Sequence, residues 1–248
     1  GFVMTINGKI FFEEAYKIVS ENSKPLGHEK TNIHKALNRV LAVDVHSDMD
    51  LPPFDKSAMD GYACKMEDLG KPLKVKETIA AGNVPEHKLN NGECAQIMTG
   101  GMVPEGADCV VMVEHTEKTG ENTVRAFKEK TKPNIIKRAE DIASGGLALS
   151  KGTMLRPQEI AVLASVGAYE IEVGKKPKIG IISTGNEIVE PWVKPGASQI
   201  RNSNGYQLLA QAERCGTSPE YLGILPDDEV ATYNFMQQNT DSYDLLLM

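Results

Sequence analysis

The sequence predicts a multidomain chain of mixed class: a discontinuous helical domain, a β-rich domain, and part of a parallel α/β domain. Three observations carry that expectation. The texture changes near residue 44, from helical spacing to short apolar runs broken by Gly, Pro and Asn. A lone amphipathic stretch at 157–168 follows the β-like region. From residue 178 to 248 the pattern runs strand, helix, strand, helix, strand, the rhythm of a parallel sheet with right-handed crossovers.

In order, Phe11–Ser20 places Phe11, Ala15 and Ile18 at helical spacing, with Glu13 and Glu14 on the other side. The segment 32–41 carries Ile33, Ala36, Leu37 and Val40 and is expected to be a second helix. Pro25 and Gly27 break the pattern between them. Lys74–Thr78, Ala95–Met98, Cys109–Glu114 and Val124–Phe127 read as strands, with turns at Gly82-Asn83, Asn90-Asn91-Gly92 and Gly120-Glu121-Asn122. Pro157 suits the first position of a helix that Gly167 ends. This helix is expected to return to the N-terminal segment, giving a helical domain of residues 1–43 plus 143–174, a β-rich domain of 44–142, and an α/β domain over 175–248. In the last, Lys178–Ser183 is a continuous apolar run, the mark of a strand buried on both faces. Asn204–Cys215 and Glu229–Asn239 are helical; Pro219–Gly223 and Tyr243–Met248 are strand-like. Ending on such a strand leads us to expect a truncated domain. Gly1, Phe2 and Val3, ahead of Met4, are expected to be a cloning remnant.

Composition narrows the function. A net charge of -7 argues against a general nucleic-acid binder, which needs a clustered basic surface. No apolar run approaches the ~18 residues of a membrane span. The four cysteines, Cys64, Cys94, Cys109 and Cys215, form no C-x-x-C pair, so reduced thiols in a cytoplasmic protein are expected.

Candidate chemistry lies first at the strand ends of the α/β part, because open parallel sheets bind ligands beyond the carboxyl ends of their strands. Ser183-Thr184-Gly185-Asn186-Glu187 supplies a hydroxyl, a glycine and a carboxylate. Glu187 also reads as a solvated loop residue. Leu225-Pro226-Asp227-Asp228 leaves the second strand, and either aspartate also reads as a helix N-cap. The β-rich part offers 51–63, with Asp55, Ser57 and Asp60, and 96–108, where Thr99-Gly100-Gly101 follows a strand and bare N–H groups would face an anion. Asp60-Gly61 also reads as a plain turn and the second cluster as a glycine-rich hairpin loop. Asp141 reads as a helix cap or a third carboxylate. With no G-x-G-x-x-G or Walker sequence, and neither a His base nor a Cys nucleophile at hand, the set suits Mg²⁺-assisted handling of a phosphate ester better than acyl transfer.

The stretches Pro53–Ala63 (PFDKSAMDGYA), Met98–Asp108, Cys109–Glu114, Ser183–Glu187 (STGNE) and Ile200–Asn204 (IRNSN), in this order, resemble the molybdopterin molybdenumtransferases of MoeA type, with their gephyrin E-domain relatives. The resemblance runs over essentially the whole chain. It implies insertion of molybdate into adenylylated molybdopterin with release of AMP, a homodimer, and contact with the upstream adenylyltransferase. It carries the family's functional acids and hydroxyl onto Asp60, Thr99, Asp141, Glu187 and Asp227. Glu187 and Asp227 would hold Mg²⁺, with Ser183, Thr184, Gly185, Gly100 and Asn204 binding substrate. Three departures stand out: Asn186 where the family often has Asp, Ala139 where a Gly often precedes Glu-Asp, and a Ser-Gly-Gly loop with molybdate-holding basic residues that is expected to follow the third strand, beyond Met248. The alternatives are a molybdopterin adenylyltransferase, whose domain resembles the α/β part, and a gephyrin-like scaffold without catalysis.

Overall fold

The computed structural model describes residues 5–6 and 9–248; residues 1–3, expected to be a cloning remnant, lie outside them. The principal elements, in chain order, are α1 (Phe12–Asn22), β1 (His28–Asn32), β2 (Gly61–Cys64), β3 (Pro72–Ile79), β4 (Glu93–Ile97), β5 (Cys109–Met112), β6 (Thr116–Gly120), β7 (Thr123–Ala126), α2 (Pro157–Ser165), β8 (Glu170–Gly174), β9 (Ile179–Thr184), α3 (Asn204–Arg214), β10 (Glu220–Leu225), α4 (Glu229–Asn239) and β11 (Leu245–Leu247). They form two compact units. One comprises Asp44–Lys151 and Gln158–Tyr169; the other comprises Gly1–Val43, Gly152–Pro157 and Glu170–Met248.

The first of these is built on a six-stranded sheet in the order β6-β7-β3-β4-β2-β5. All neighbours are antiparallel except β3 and β4, which run parallel. Both faces are covered, and strand alternation shows how. Tyr62, Cys64, Cys94, Cys109 and Val111 enter one apolar cluster, while Ala63, Ala95, Val110 and Ile97 enter another. The glycine Gly61 sits where β2 passes closest to β5, and a Cβ there would overlap the Val111 carbonyl. Only a residue without a side chain lets these strands pair.

The helix α2 belongs to this unit rather than to the N-terminal segment that the sequence suggested. Its end is held by Asp48, whose N–H donates to Val166 O at 3.5 Å, and Glu159 and Leu163 are buried. Of the stretch 143–174, only 152–157 and 170–174 join the N-terminal residues.

In the other unit, β10-β9-β11 form a parallel sheet with β9 central. Ile179 and Ile181 pack against Leu208, Leu209 and Ala212 of α3, as the apolar run and the amphipathic spacing of α3 require. The expected second helix over 32–41 is corrected. Residues 28–32 are strand β1, paired antiparallel with β8, and only Ile33–Lys35 make a single 3-10 turn. Asn38 lies at φ 62, and residues 38–41 bond to the backbone at 153–155. Of the apolar residues that suggested the helix, Leu37 and Val40 are exposed while Ala36 is buried. In α1, a helix as expected, no residue is buried.

Candidate functional site

At the carboxyl edge of the parallel sheet, β9 runs into Gly185, which adopts φ 140, and a Cβ at that position would meet Glu187 Oε2 at 2.7 Å. The chain therefore turns sharply and folds the Glu187 carboxylate back over the glycine. Gly185 N–H donates to Leu225 O at 3.1 Å, docking this loop on the end of β10. The two loops are tied again, weakly and reciprocally: Asn186 N–H donates to Asp227 Oδ2 at 3.4 Å and Asp227 N–H to Asn186 Oδ1 at 3.3 Å. The structure thus brings the loops of Glu187 and Asp227 together. It also separates the roles of the two aspartates. Asp228 is the N-cap of α4, accepting from Ala231 N–H at 2.7 Å, so Asp227 is left to the loop. Among the described residues, no donor reaches the Glu187 carboxylate.

Beside these loops a cavity of about 210 Å³ is walled by Ser183, Thr184, Arg201, Asn202, Asn204 and Leu208, among others. Asn204 opens α3, and Gly205 behind it is tight against Ser183 Oγ and Asn202, where a Cβ would come within 2.9 Å of both. A helix start beside hydroxyls and an arginine is a setting for anions and polar rings. Asn202, only 4% exposed, is the hub of the wall. It accepts from Ser183 Oγ and Gly205 N–H, both at 3.0 Å, and donates to the Tyr221 hydroxyl at 2.8 Å. Tyr221 and Tyr206 in turn donate to Glu190, at 2.8 and 3.0 Å. Burial, then the Glu190 hydrogen bond, push the Tyr221 phenol up to about 12, and the same causes raise Tyr206. Sequence reasoning singled out Ser183 but missed Glu190, Tyr206 and Tyr221. Asn202 lay within the quoted IRNSN stretch, and no spacing marks the others.

In the β-rich unit, Asp60 precedes β2 and Thr99 follows β4. Because Gly61 and Ile97 are antiparallel partners, the two meet. Asp60 Oδ1 accepts from Thr99 N–H at 2.6 Å and from Thr99 Oγ1 at 2.7 Å. The Thr99 N–H first, then its hydroxyl, hold this carboxyl below the usual range. The anion-facing role expected of the glycine loop is corrected. Gly100 N–H donates to Ser57 O and Gly101 N–H to Met98 O, so the N–H groups of residues 99–101 are all committed within the unit. Asp141 is not joined to Asp60 or Thr99. Its N–H is bonded to Leu51 O, and it stands at the rim of a separate 640 Å³ cavity lined by Pro52, Phe54, Ile142, Val162 and Val166. Neighbouring Ala139, where the family pattern favours glycine, lies at φ 59.

The family model described as "MoeA N-terminal region (domain I and II)" matches residues 10–167, more than half of the chain. The chain belongs to the MoeA family. A second model, "Probable molybdopterin binding domain", matches residues 180–248 of this MoeA-family chain, the unit that holds the α3 cavity. The molybdopterin molybdenumtransferase of Bacillus subtilis is 35% identical over 248 aligned residues, covering 95% of this chain and 57% of its own. That of Haemophilus influenzae is 35% identical over 217, covering 86% and 54%. A crystal structure of a molybdopterin biosynthesis MoeA protein from Pyrococcus horikoshii OT3 superposes with TM-score 0.83 at 33% identity, over 94% of this chain and 64% of that one. A second structure of that protein gives 0.79, over 94% and 62%. The chain spans a little over half the length of the curated relatives it matches.

Proposed function

We propose that this MoeA-family chain carries the substrate-binding edge of a molybdopterin molybdenumtransferase, which inserts molybdate into adenylylated molybdopterin and releases AMP. The observation that carries the reading is the paired loop after β9 and β10: two carboxylates at the sheet's carboxyl edge, without a cationic partner among the described residues, beside a polar cavity. In this reading molybdopterin lies in the cavity against Ser183, Thr184 and Asn204, with its phosphates toward Glu187 and Asp227.

Mg²⁺ fits that edge by its donor chemistry. A hard cation takes oxygen ligands, commonly one or two carboxylates completed by substrate phosphates and water. Glu187 and Asp227 offer such oxygens. Among the described residues no group of three or more His, Cys, Asp or Glu is placed to hold a metal, so the phosphates would complete the set. Bound there, the ion would neutralise the phosphoanhydride as it breaks. Asp60, Thr99 and Asp141 keep in this proposal the roles that the family resemblance implies; Asp60 is bonded to Thr99 through Oδ1 alone.

The working unit in this proposal is a homodimer. Its support is α1, where Phe12, Tyr16 and Val19 follow one another along one stripe and are 78%, 66% and 67% exposed in the single chain. Phe12 and Tyr16 stack on each other at 6.4 Å, a preformed apolar patch. Among the described residues no helix is long and apolar enough to cross a membrane. The proposal places the enzyme in the cytoplasm, where the buried thiols Cys64, Cys94 and Cys109 stay reduced. The upstream adenylyltransferase is the partner that would deliver the substrate.

The test uses the full-length protein with adenylylated molybdopterin. AMP release that depends on molybdate supports the reading; AMP release that ignores molybdate, or none at all, overturns it.

A further inference from the structure

The hydrogen-bond chain behind the α3 cavity has a direction, and that direction follows from the backbone. Gly205 N–H can only donate, so the Asn202 atom facing it at 3.0 Å must be the carbonyl oxygen, Oδ1. Ser183 Oγ, also 3.0 Å from Oδ1, must then donate its one proton to Asn202. The amide nitrogen of Asn202 is left facing Tyr221, whose oxygen accepts at 2.8 Å. Tyr221 O–H in turn donates to Glu190 Oε1, and Tyr206 O–H donates to Oε2. The Glu190 carboxylate only accepts, so the Tyr221 proton is engaged there and the Tyr221 oxygen is left to accept from Asn202. The two rings lie 5.2 Å apart and hold Glu190 between their hydroxyls.

We infer that Asn202, oriented by the Gly205 N–H and held in place by Tyr221, is a positioning residue that sets Ser183 as a hydrogen-bond acceptor in the cavity, so that the cavity selects a ligand edge bearing N–H donors. With its proton turned inward, Ser183 offers only lone pairs to the cavity it lines. A phosphate oxygen, also an acceptor, finds no donor at that atom. A ring with an amino group or a protonated ring nitrogen does. Arg201, on the wall of the same cavity, supplies donors for a carbonyl oxygen on that ring. The fused heterocycle of a pterin presents both kinds of group. This inference rests on the reading of the cavity as the molybdopterin site and names which end of the molecule it grips.

The experiment titrates the 248-residue chain with pterin-6-carboxylate, followed by ligand fluorescence, and separately with pyrophosphate, followed by calorimetry. Ser183→Ala and Tyr221→Phe weaken pterin binding about three- to tenfold, the range expected for one lost hydrogen bond. Tyr206→Phe, which touches Glu190 but not Asn202, leaves it unchanged. Pyrophosphate affinity stays the same in all three. Circular dichroism checks folding, and should Tyr221→Phe fail to fold, Ser183→Ala decides. If pterin binds the wild type and either Ser183→Ala or a folded Tyr221→Phe equally, or if Ser183→Ala weakens pyrophosphate as much as pterin, the inference is wrong while the cavity remains a pterin site. If the wild-type chain binds no pterin, the inference and the reading beneath it both fall.

Discussion

Several carboxylates of the β-rich unit are firmly bonded, whereas the two at the carboxyl edge of the parallel sheet, Glu187 and Asp227, are not. In the β-rich unit Asp50 accepts from Arg138 Nε at 2.5 Å and Ser144 N–H at 2.8 Å, and Asp55 from Lys137 Nζ at 2.7 Å and Arg138 N–H at 2.8 Å. Glu93 accepts from Asn90 N–H and Lys76 Nζ, the first of which contributes most to holding it down at about 2. At the edge of the parallel sheet, Asp227 has only contacts of 3.3–3.4 Å to Asn186, and Glu187 carries no side-chain bond. Committed carboxylates pin loops to strands. Uncommitted ones, kept close by the backbone, are what a cation and its phosphates need. In the proposed function, this difference separates acids that hold the fold from acids that would meet the cation and its phosphates.

Breaking the scaffold has the largest expected effect. In Gly61→Ala the new methyl overlaps the Val111 carbonyl, so β2 and β5 must part and Asp60 with them. We expect a loss of more than about 3 kcal/mol, read by urea denaturation. A loss under about 1 kcal/mol would show that the strands yield easily.

The acid response comes next. Glu93 is held near 2 when folded, whereas an unfolded Glu titrates at about 4.3. A depressed carboxyl contributes stability that is whole above the unfolded value and fades as pH falls through the folded one. Asp50, Asp55, Asp60 and Asp68 are lowered as well; for Asp55, burial opposes the shift and Lys137 with Arg138 outweighs it. The melting temperature should therefore fall between about pH 4.5 and 2, and Glu93→Gln should shallow that slope. An unchanged slope would mean that Glu93 is not held as described.

Much of this was legible in the sequence. The continuous apolar run at 178–183 announced β9, and the α4 boundaries came out as read, because each pattern had one structural solution. The 32–41 segment misled because Ile33, Ala36, Leu37 and Val40 fit a helix equally well. What decides there is pairing with residues over a hundred positions away, which spacing does not encode. Strand β1, HEKTN, is too polar to declare itself, and the alternation of β8, EIEVG, is short. In the sites, Asp60 and Thr99 were readable as candidates, but their bond depends on the β2–β4 register. The Glu190 network joins residues 16 to 31 positions apart and had no local signature.

A smaller effect sharpens the contrast within the committed region. Ala139 holds φ 59, a left-handed conformation that costs an L residue roughly 1–2 kcal/mol. Ala139→Gly should stabilise by about 1 kcal/mol. Destabilisation instead would mean that the side chain contributes packing that outweighs the strain.

The smallest change lies in the uncommitted pair. Asn186→Asp adds a third carboxylate beside Asp227 and Glu187 while keeping the oxygen that accepts Asp227 N–H. Mn²⁺, standing for Mg²⁺, should bind about three- to tenfold more tightly, since affinity rises with ligand charge. No change would place the cation away from this loop.

Mn²⁺ titration of the 248-residue chain decides whether the free acids at the carboxyl edge serve a cation while the bonded ones serve the fold. The loss of the free-ion electron paramagnetic resonance signal would be followed for wild type, Glu187→Gln, Asp227→Asn and Asp55→Asn, alongside thermal melts. Glu187→Gln and Asp227→Asn should lose Mn²⁺ binding at an unchanged melting temperature. Asp55→Asn should melt several degrees lower and bind as wild type does. Mn²⁺ binding that survives in both Glu187→Gln and Asp227→Asn, or that disappears in a folded Asp55→Asn chain, would contradict that division of roles.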